Sequence, residues 1–128
     1  MSDTDALGQG KRELLRHSVA TLAYRAAKAI RNAPPAVAEF RIGDVTRTPL
    51  QLVAHLGDLI EWAITMAEGN QKWNVATPTS WDAETSRFFD ALIRFDAVLS
   101  LSARPAPHAR SPRARPTRRL RSCRAVFR

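Results

Sequence analysis

Residues 47–63 read Arg47-Thr48-Pro49-Leu50-Gln51-Leu52-Val53-Ala54-His55-Leu56-Gly57-Asp58-Leu59-Ile60-Glu61-Trp62-Ala63. Thr48 is a typical N-cap, and Pro49 suits the first helical position, where no backbone N–H is needed. At about 100° per residue, the apolar side chains that follow cover roughly 200° of the helix surface. This arc is wider than the apolar stripe of an ordinary surface helix, so we expect the helix to contact several others.

This predicted helix has an apolar arc and a narrow polar strip. His55 lies near one border of the arc, flanked by Trp62 and Met66, and no other ionisable group of the chain is placed in this way. The arc, which we expect to be buried, consists of Trp62, His55, Met66, Leu59, Leu52, Ala63, Leu56, Ala67, Ile60, Val53 and Ile64. The strip, which we expect to face water, consists of Gln51, Ala54, Asp58, Glu61, Thr65 and Glu68.

Two more helices are predicted, one on each side of this segment. The first runs from about Lys11 to Asn32 and ends at the prolines that follow, because proline cannot continue a helix. The third begins after an N-cap at Thr79 or Ser80. The inner face of the first helix is predicted to hold Leu15, Val19, Leu22, Ala26 and Ile30. The stripe of the third holds Trp81, Phe88, Leu92, Phe95 and Leu99.

Two connectors join the predicted helices. Residues 36–47 are too long for a tight helical turn, and we expect Phe40 and Ile42 to pack across the end of a bundle. Gly43-Asp44 is typical of a turn within this connector. Residues 71–79 form the second loop.

The charge of the chain is divided unevenly between two segments. Residues 1–101 carry 11 basic and 12 acidic residues, whereas residues 102–128 carry nine arginines, four prolines and no acidic residue. Such a composition cannot bury enough apolar surface to offset chain entropy. We therefore predict a helical domain over residues 1–101 and a disordered basic tail over residues 102–128. The amino-acid composition of residues 102–128 is also typical of a GC-rich gene translated in a wrong reading frame.

The overall composition excludes several protein classes. No run approaches the ~18 apolar residues of a membrane span, so we expect no membrane contact. The N-terminus is acidic and polar and does not look like a signal peptide. Cys123 is the one cysteine and cannot form an internal disulfide, which favours a cytoplasmic location. Phosphate-binding glycine loops, cysteine pairs and His-Glu-x-x-His motifs do not occur.

Three stretches of the sequence resemble the DinB-like superfamily over about residues 11–101. The most specific part is the Thr-Pro helix opening, with a histidine six residues after the proline and a tryptophan beyond it. The matching stretches are Leu14-Leu15-Arg16-His17-Ser18-Val19-Ala20-Thr21-Leu22-Ala23-Tyr24-Arg25, the quoted segment 47–63, and Trp81-Asp82-Ala83-Glu84 with Arg87-Phe88-Phe89. The resemblance implies an all-α, antiparallel up-down bundle of four helices, of which this chain supplies three and lacks the fourth.

The resemblance also implies chemistry at the second helix. Many members of the superfamily are metal-dependent hydrolases or thiol transferases, and many are dimers. One metal ligand is a histidine of the second helix, which corresponds to His55, and the cofactor would be zinc or nickel. The other two ligands usually lie on the missing fourth helix. The tail's one histidine, His108, follows a proline and does not match them.

Each candidate site residue has a functional and a structural interpretation. His55 is either a metal ligand or acid–base group, or a partly buried histidine bonded to a neighbouring helix or water. Asp58 either orients the imidazole of His55 or pairs with an arginine. The aromatic and sulfur side chains either line a small-molecule pocket beside His55 or belong to the core; they are Trp62, Met66 and Trp81.

Three functions follow from these patterns. The first is a DinB-like protein of undetermined activity whose metal site is incomplete. The second is a non-catalytic binding or dimerisation module, because the wide apolar arc needs a partner and a homodimer would supply one. The third is non-specific nucleic-acid association through the arginines of the tail, which would be sensitive to salt.

Overall fold

The computed structural model describes residues 2–101, in which all regular secondary structure is helical and no strand occurs. The α-helices are α1 (Asp3–Ile30), α2 (Pro49–Ala67) and α3 (Trp81–Ser100), and a 3-10 helix spans Pro35–Glu39. The predicted all-α class is confirmed. The predicted tail over residues 102–128 lies outside the described residues. No helix of the described part has the length and apolar content needed to span a bilayer.

The helix starts follow from capping residues. Thr48 caps α2 and accepts a hydrogen bond from the backbone of Gln51, whose side chain bonds back to Thr48. Ser80 caps α3 through the backbone N–H of Ala83. Both predicted starts are confirmed. The predicted start of the first helix at Lys11 is wrong, because Ser2 forms a capping box with Asp5 and α1 begins at Asp3.

Helix α3 lies at the centre of the fold. It packs against α2 on one side and α1 on the other, whereas the backbones of α1 and α2 do not approach each other within the described residues. Phe88 and Ala91 of α3 are completely buried, and Leu92 is nearly so. The core therefore forms along α3, from Val19, Val53, Phe88, Leu92 and Leu99.

The helix directions differ from the predicted up-down order. Arg16, near the start of α1, pairs with Asp96 near the end of α3, so these two helices are antiparallel as predicted. Between α2 and α3, however, the Ala54 carbonyl accepts a hydrogen bond from Arg87, and the Glu61 carboxylate accepts one from Arg94. The later residue of α2 thus contacts the later residue of α3, so the two helices run in the same direction. These two helices are parallel, and the prediction of an antiparallel pair is wrong.

A long crossover loop explains the parallel arrangement. Residues 68–80 run back along α2 from its C-terminal end to its middle, with Lys72 bonded to Thr65 and Ala76 bonded to Asp58. An extended chain of this length reaches about 40 Å, whereas α2 is about 28 Å long. The loop can therefore return to the level at which α2 began before α3 starts.

Val53 and Ile64 are buried as predicted, but the centre of the buried face of α2 is rotated from its predicted position by roughly 140°. Leu52, Leu56 and Met66, predicted to be buried, are 46%, 40% and 44% exposed. Ala54 and Asp58, predicted to face water, are buried. The physical reason is that α3 presents Arg87 to α2, and small side chains and a carboxylate fit against it better than leucines.

Further apolar residues lie at the surface against prediction. On α1, Val19 is buried and Ala26 and Ile30 pack against the core, but Leu15 and Leu22 are 48% and 41% exposed. In the connector, Phe40 and Ile42 are 58% and 88% exposed and do not cover the end of the helices. The predicted turn at Gly43 is present, because Gly43 and Thr46 bond to each other through both backbone and side chain.

Candidate functional site

An aromatic cluster forms where the crossover loop passes α2. The ring of Trp73 meets the His55 imidazole edge-on at 6.2 Å between centroids, and it meets the indole of Trp62 edge-on at 5.7 Å. Edge-to-face contacts in this range are favourable for aromatic pairs. His55 and Trp62 are seven residues, or about two turns, apart on the same side of α2, and the loop supplies Trp73, which contacts both rings.

Two anchors hold Trp73 in this position. The Thr65 hydroxyl accepts a hydrogen bond from the Lys72 N–H at 3.0 Å and donates to carbonyl oxygens. On the other side of Trp73, the Asp58 carboxylate accepts from the Ala76 N–H at 3.3 Å. Because the loop is bonded to α2 on both sides of the indole, Trp73 stays against His55 although it remains half exposed.

Asp58 pairs with an arginine and does not orient His55. Its Oδ1 accepts from Arg87 Nη1 at 2.9 Å, and its side chain is almost completely buried. Of the two interpretations of Asp58, the structure supports the ion pair. We find no hydrogen bond from the His55 ring among the described residues.

Arg87 is the centre of a charged cluster, which we call the Arg87 cluster. Its Nε donates to Glu84 at 2.9 Å, its Nη1 to Asp58, and its Nη2 to the Ala54 carbonyl at 2.8 Å. Glu84 is buried and also accepts from the Thr79 backbone N–H. The cluster therefore ties α2, α3 and the last residues of the crossover loop together. Its charged members are Asp58, Glu61, Glu84, Arg87 and Arg94.

The environment of Arg87 keeps it charged. Burial lowers the pKa of the Arg87 guanidinium, but the hydrogen bonds and negative charges of Glu84 and Asp58 outweigh burial and raise the pKa above its usual value. Gly57 makes room for this group, since a Cβ at Gly57 would lie only 3.0 Å from Arg87 Cζ. The cluster is satisfied internally, which is the pattern of a structural ion-pair network.

The remaining predicted site residues do not join His55. Trp81 packs toward α1, where it lines a shallow cavity with Ile30 and Pro35. Met66 is exposed on α2, one turn beyond Trp62. A second cleft, between the start of α1 and the end of α3, contains none of the predicted site residues. The structure therefore brings together His55, Trp62 and Trp73, whereas Trp81 lies beside Ile30 and Pro35.

The donors around His55 do not fit a divalent metal by themselves. No group of three or more histidine, cysteine, aspartate or glutamate side chains within residues 2–101 is placed to hold one ion. Zinc in a catalytic site takes at least three protein donors. The nearest carboxylate along the helix, Asp58, is already bound to Arg87. His108 lies outside the described residues.

Sequence reasoning missed two residues of this region. Trp73 appeared as a loop residue, and nothing in its local sequence indicated contact with α2. Arg87 had one signal, because Glu84 precedes it by three residues on a helix, a spacing that allows an ion pair.

In comparisons with known proteins, the chain matches no family model, no curated protein and no solved structure.

Proposed function

We propose that this chain is a DinB-like helical domain that acts as a binding module through the outer face of α2. This outer face consists of Leu52, His55, Leu56, Leu59, Trp62, Ala63 and Met66. The observation that carries the proposal is that large apolar side chains of α2 point away from α3, with His55 and its tryptophans at their border. Exposed apolar patches of this kind mark interaction sites.

The sequence resemblance supports the DinB-like part of the proposal. The Thr-Pro opening of α2, His55 and Trp62 match the superfamily's most specific motif. A bundle of this type is completed by a further helix, and the outer face of α2 is a surface on which another helix would pack. A homodimer or a small-molecule ligand would each make use of this face.

Metal-dependent activity is the second function that we consider. By resemblance, His55 would be one ligand of zinc or nickel in a hydrolase or thiol transferase. The observation in its favour is that His55 stays partly accessible beside Trp73. Its remaining donors would have to come from outside residues 2–101, so we derive no catalytic step from it.

Metal analysis of the purified full chain separates the two functions. The binding-module proposal predicts substoichiometric zinc and nickel after equilibration with either ion, and the same metal content in the wild type, in His55→Ala and in the matched control His17→Ala. His17 is an exposed histidine of α1, so its loss reports only adventitious binding. One equivalent of metal that is lost in His55→Ala and retained in His17→Ala would reject the proposal in favour of the enzyme.

A further inference from the structure

A shallow cavity lies where the end of α1, the connector that follows it and the start of α3 meet. Its volume is about 460 Å³, which is within the usual range for small-molecule sites. Ile30, Pro35 and Trp81 supply apolar surface to its lining. Among the residues that the structure describes, none of those that line the cavity comes from α2, so the cavity is separate from the outer face of α2.

Two opposite charges face this cavity. Arg31 is the residue at which α1 ends, and Asp82 lies in the first turn of α3. Neither side chain forms an ion pair with another residue of the described segment, so the two are not paired with each other. Ser86, about one turn further along α3, adds a hydroxyl group to the lining. The cavity therefore presents a cationic and an anionic group beside an apolar wall.

Phe89 holds the Arg31 side chain beside the cavity. The Arg31 Cζ lies 4.8 Å from the centroid of the Phe89 ring, which is within the range of a cation–π contact. Phe89 itself packs against the core and contacts Phe88, which is completely buried. A ring face leaves the guanidinium N–H groups available to a carboxylate, to which they donate in pairs. Because Arg31 is already placed before a ligand arrives, binding costs less conformational entropy.

We propose that this cavity binds a free α-amino acid with an apolar side chain. The ligand carboxylate accepts hydrogen bonds from Arg31, the ligand ammonium donates to Asp82, and the ligand side chain lies against Trp81. Asp82 would repel a purely anionic ligand, and Arg31 would repel a purely cationic one. A zwitterion satisfies both charges, and its apolar side chain removes apolar surface of the cavity wall from water.

L-Phenylalanine is the probe that tests the proposal, because its ring adds an aromatic contact with Trp81. Since the cavity is shallow and encloses only part of such a ligand, we expect a dissociation constant on the order of 1 mM. Each hydrogen-bonded charge contributes about tenfold or more to the affinity, so a ligand that lacks one charge should bind more weakly by that factor. The two analogues of this kind are phenylpropanoate, which lacks the ammonium, and phenethylamine, which lacks the carboxylate.

NMR spectroscopy of the isotope-labelled full chain measures the binding through the indole N–H signal of Trp81. The variant Trp81→Phe assigns this signal among those of the three tryptophans. L-Phenylalanine at up to about 50 mM should shift the Trp81 signal along a saturable curve and leave the signals of Trp62 and Trp73 in place. The proposal is overturned by an unshifted Trp81 signal, and equally by an analogue that binds as tightly as L-phenylalanine.

Two variants test the charges, each with a matched control. Arg31→Gln should weaken the binding of L-phenylalanine by about tenfold but should not weaken that of phenethylamine, which has no carboxylate. Asp82→Asn should weaken L-phenylalanine to a similar extent but should not weaken phenylpropanoate, which has no ammonium. The controls Arg25→Gln and Asp90→Asn change exposed residues of the same helices outside the cavity and should bind like the wild type.

The outcome of this test is independent of the proposed function, because the cavity shares no residue with the outer face of α2. Circular dichroism of each variant verifies that it is folded. The two analogues probe the same charges on the wild type, so the proposal stays testable if a variant does not fold. Folded Arg31→Gln and Asp82→Asn chains that bind L-phenylalanine as tightly as the wild type would overturn it.

Discussion

Replacing Arg87 with methionine should lower the free energy of unfolding by about 3 kcal/mol. Methionine keeps much of the apolar length of the side chain but removes the partner of two buried carboxylates, Asp58 and Glu84. Removing one partner of a buried ion pair costs about 3–5 kcal/mol, because the other charge is left uncompensated. We expect the lower end of this range, since the Arg87 side chain is 21% exposed and water reaches part of the cluster.

Urea unfolding monitored by circular dichroism measures this loss. The matched control is Arg94→Met on the same helix. Arg94 pairs with Glu61 at 3.1 Å, but its side chain is 56% exposed, and such surface pairs contribute at most about 1 kcal/mol. If Arg87→Met unfolds at the same urea concentration as Arg94→Met, with an equal dependence on urea, then the Arg87 cluster does not hold α2 against α3, and our account of the rotated face of α2 is wrong.

Three further predictions concern other parts of the chain. Gly57→Ala should destabilise the fold, because the new Cβ crowds the Arg87 guanidinium, which is held by several hydrogen bonds. Gly10→Ala lies on open helix surface and should stabilise the fold by about 0.5–1 kcal/mol. Urea unfolding measures both changes. The hydrogen bond from Arg16 lowers the pKa of Asp96 below its usual 3.8. The stability that this hydrogen bond contributes is therefore complete above pH 3.8 and is lost as the pH falls through the lower pKa of the folded state. Asp96→Asn should remove this part of the acid-unfolding curve. Truncation after residue 101 should abolish binding to DNA at low salt, and equal affinity of the two chains in a fluorescence titration would exclude the tail as a nucleic-acid contact.

Local signals made the starts of α2 and α3 predictable. A cap is a contact between residues three positions apart, so Thr48 with Gln51 and Ser80 with Ala83 are visible in the sequence. The start of α1 was missed for a different reason. Ser2 and Asp5 carry the same kind of capping pattern, but residues 3–10 have no apolar face that would indicate a helix. The cap alone starts this segment, and its side chains remain at the surface.

The orientation of α2 could not be predicted from periodicity. An apolar arc shows that a helix has an interface, but it does not show which part of the arc the chain's own elements cover. That choice depends on Arg87, which is more than twenty residues away from Asp58 along the chain and selects a face with a carboxylate and two small residues. The parallel direction of α2 and α3 depends in the same way on where the crossover loop is anchored.

Asp58 belongs to the contact between α2 and α3 and takes no part in the outer face of α2. A carboxylate three residues after His55 would be well placed in sequence to orient an imidazole, yet in the structure it accepts from Arg87 and from the Ala76 N–H. If Asp58 turned to His55, Arg87 would lose a buried partner and the crossover loop would lose the anchor beyond Trp73. The fold therefore keeps this carboxylate, and His55 is left with aromatic neighbours on a surface of apolar side chains. Such a surface favours burial against another helix over polar chemistry, and for this reason we propose a binding role for the outer face of α2.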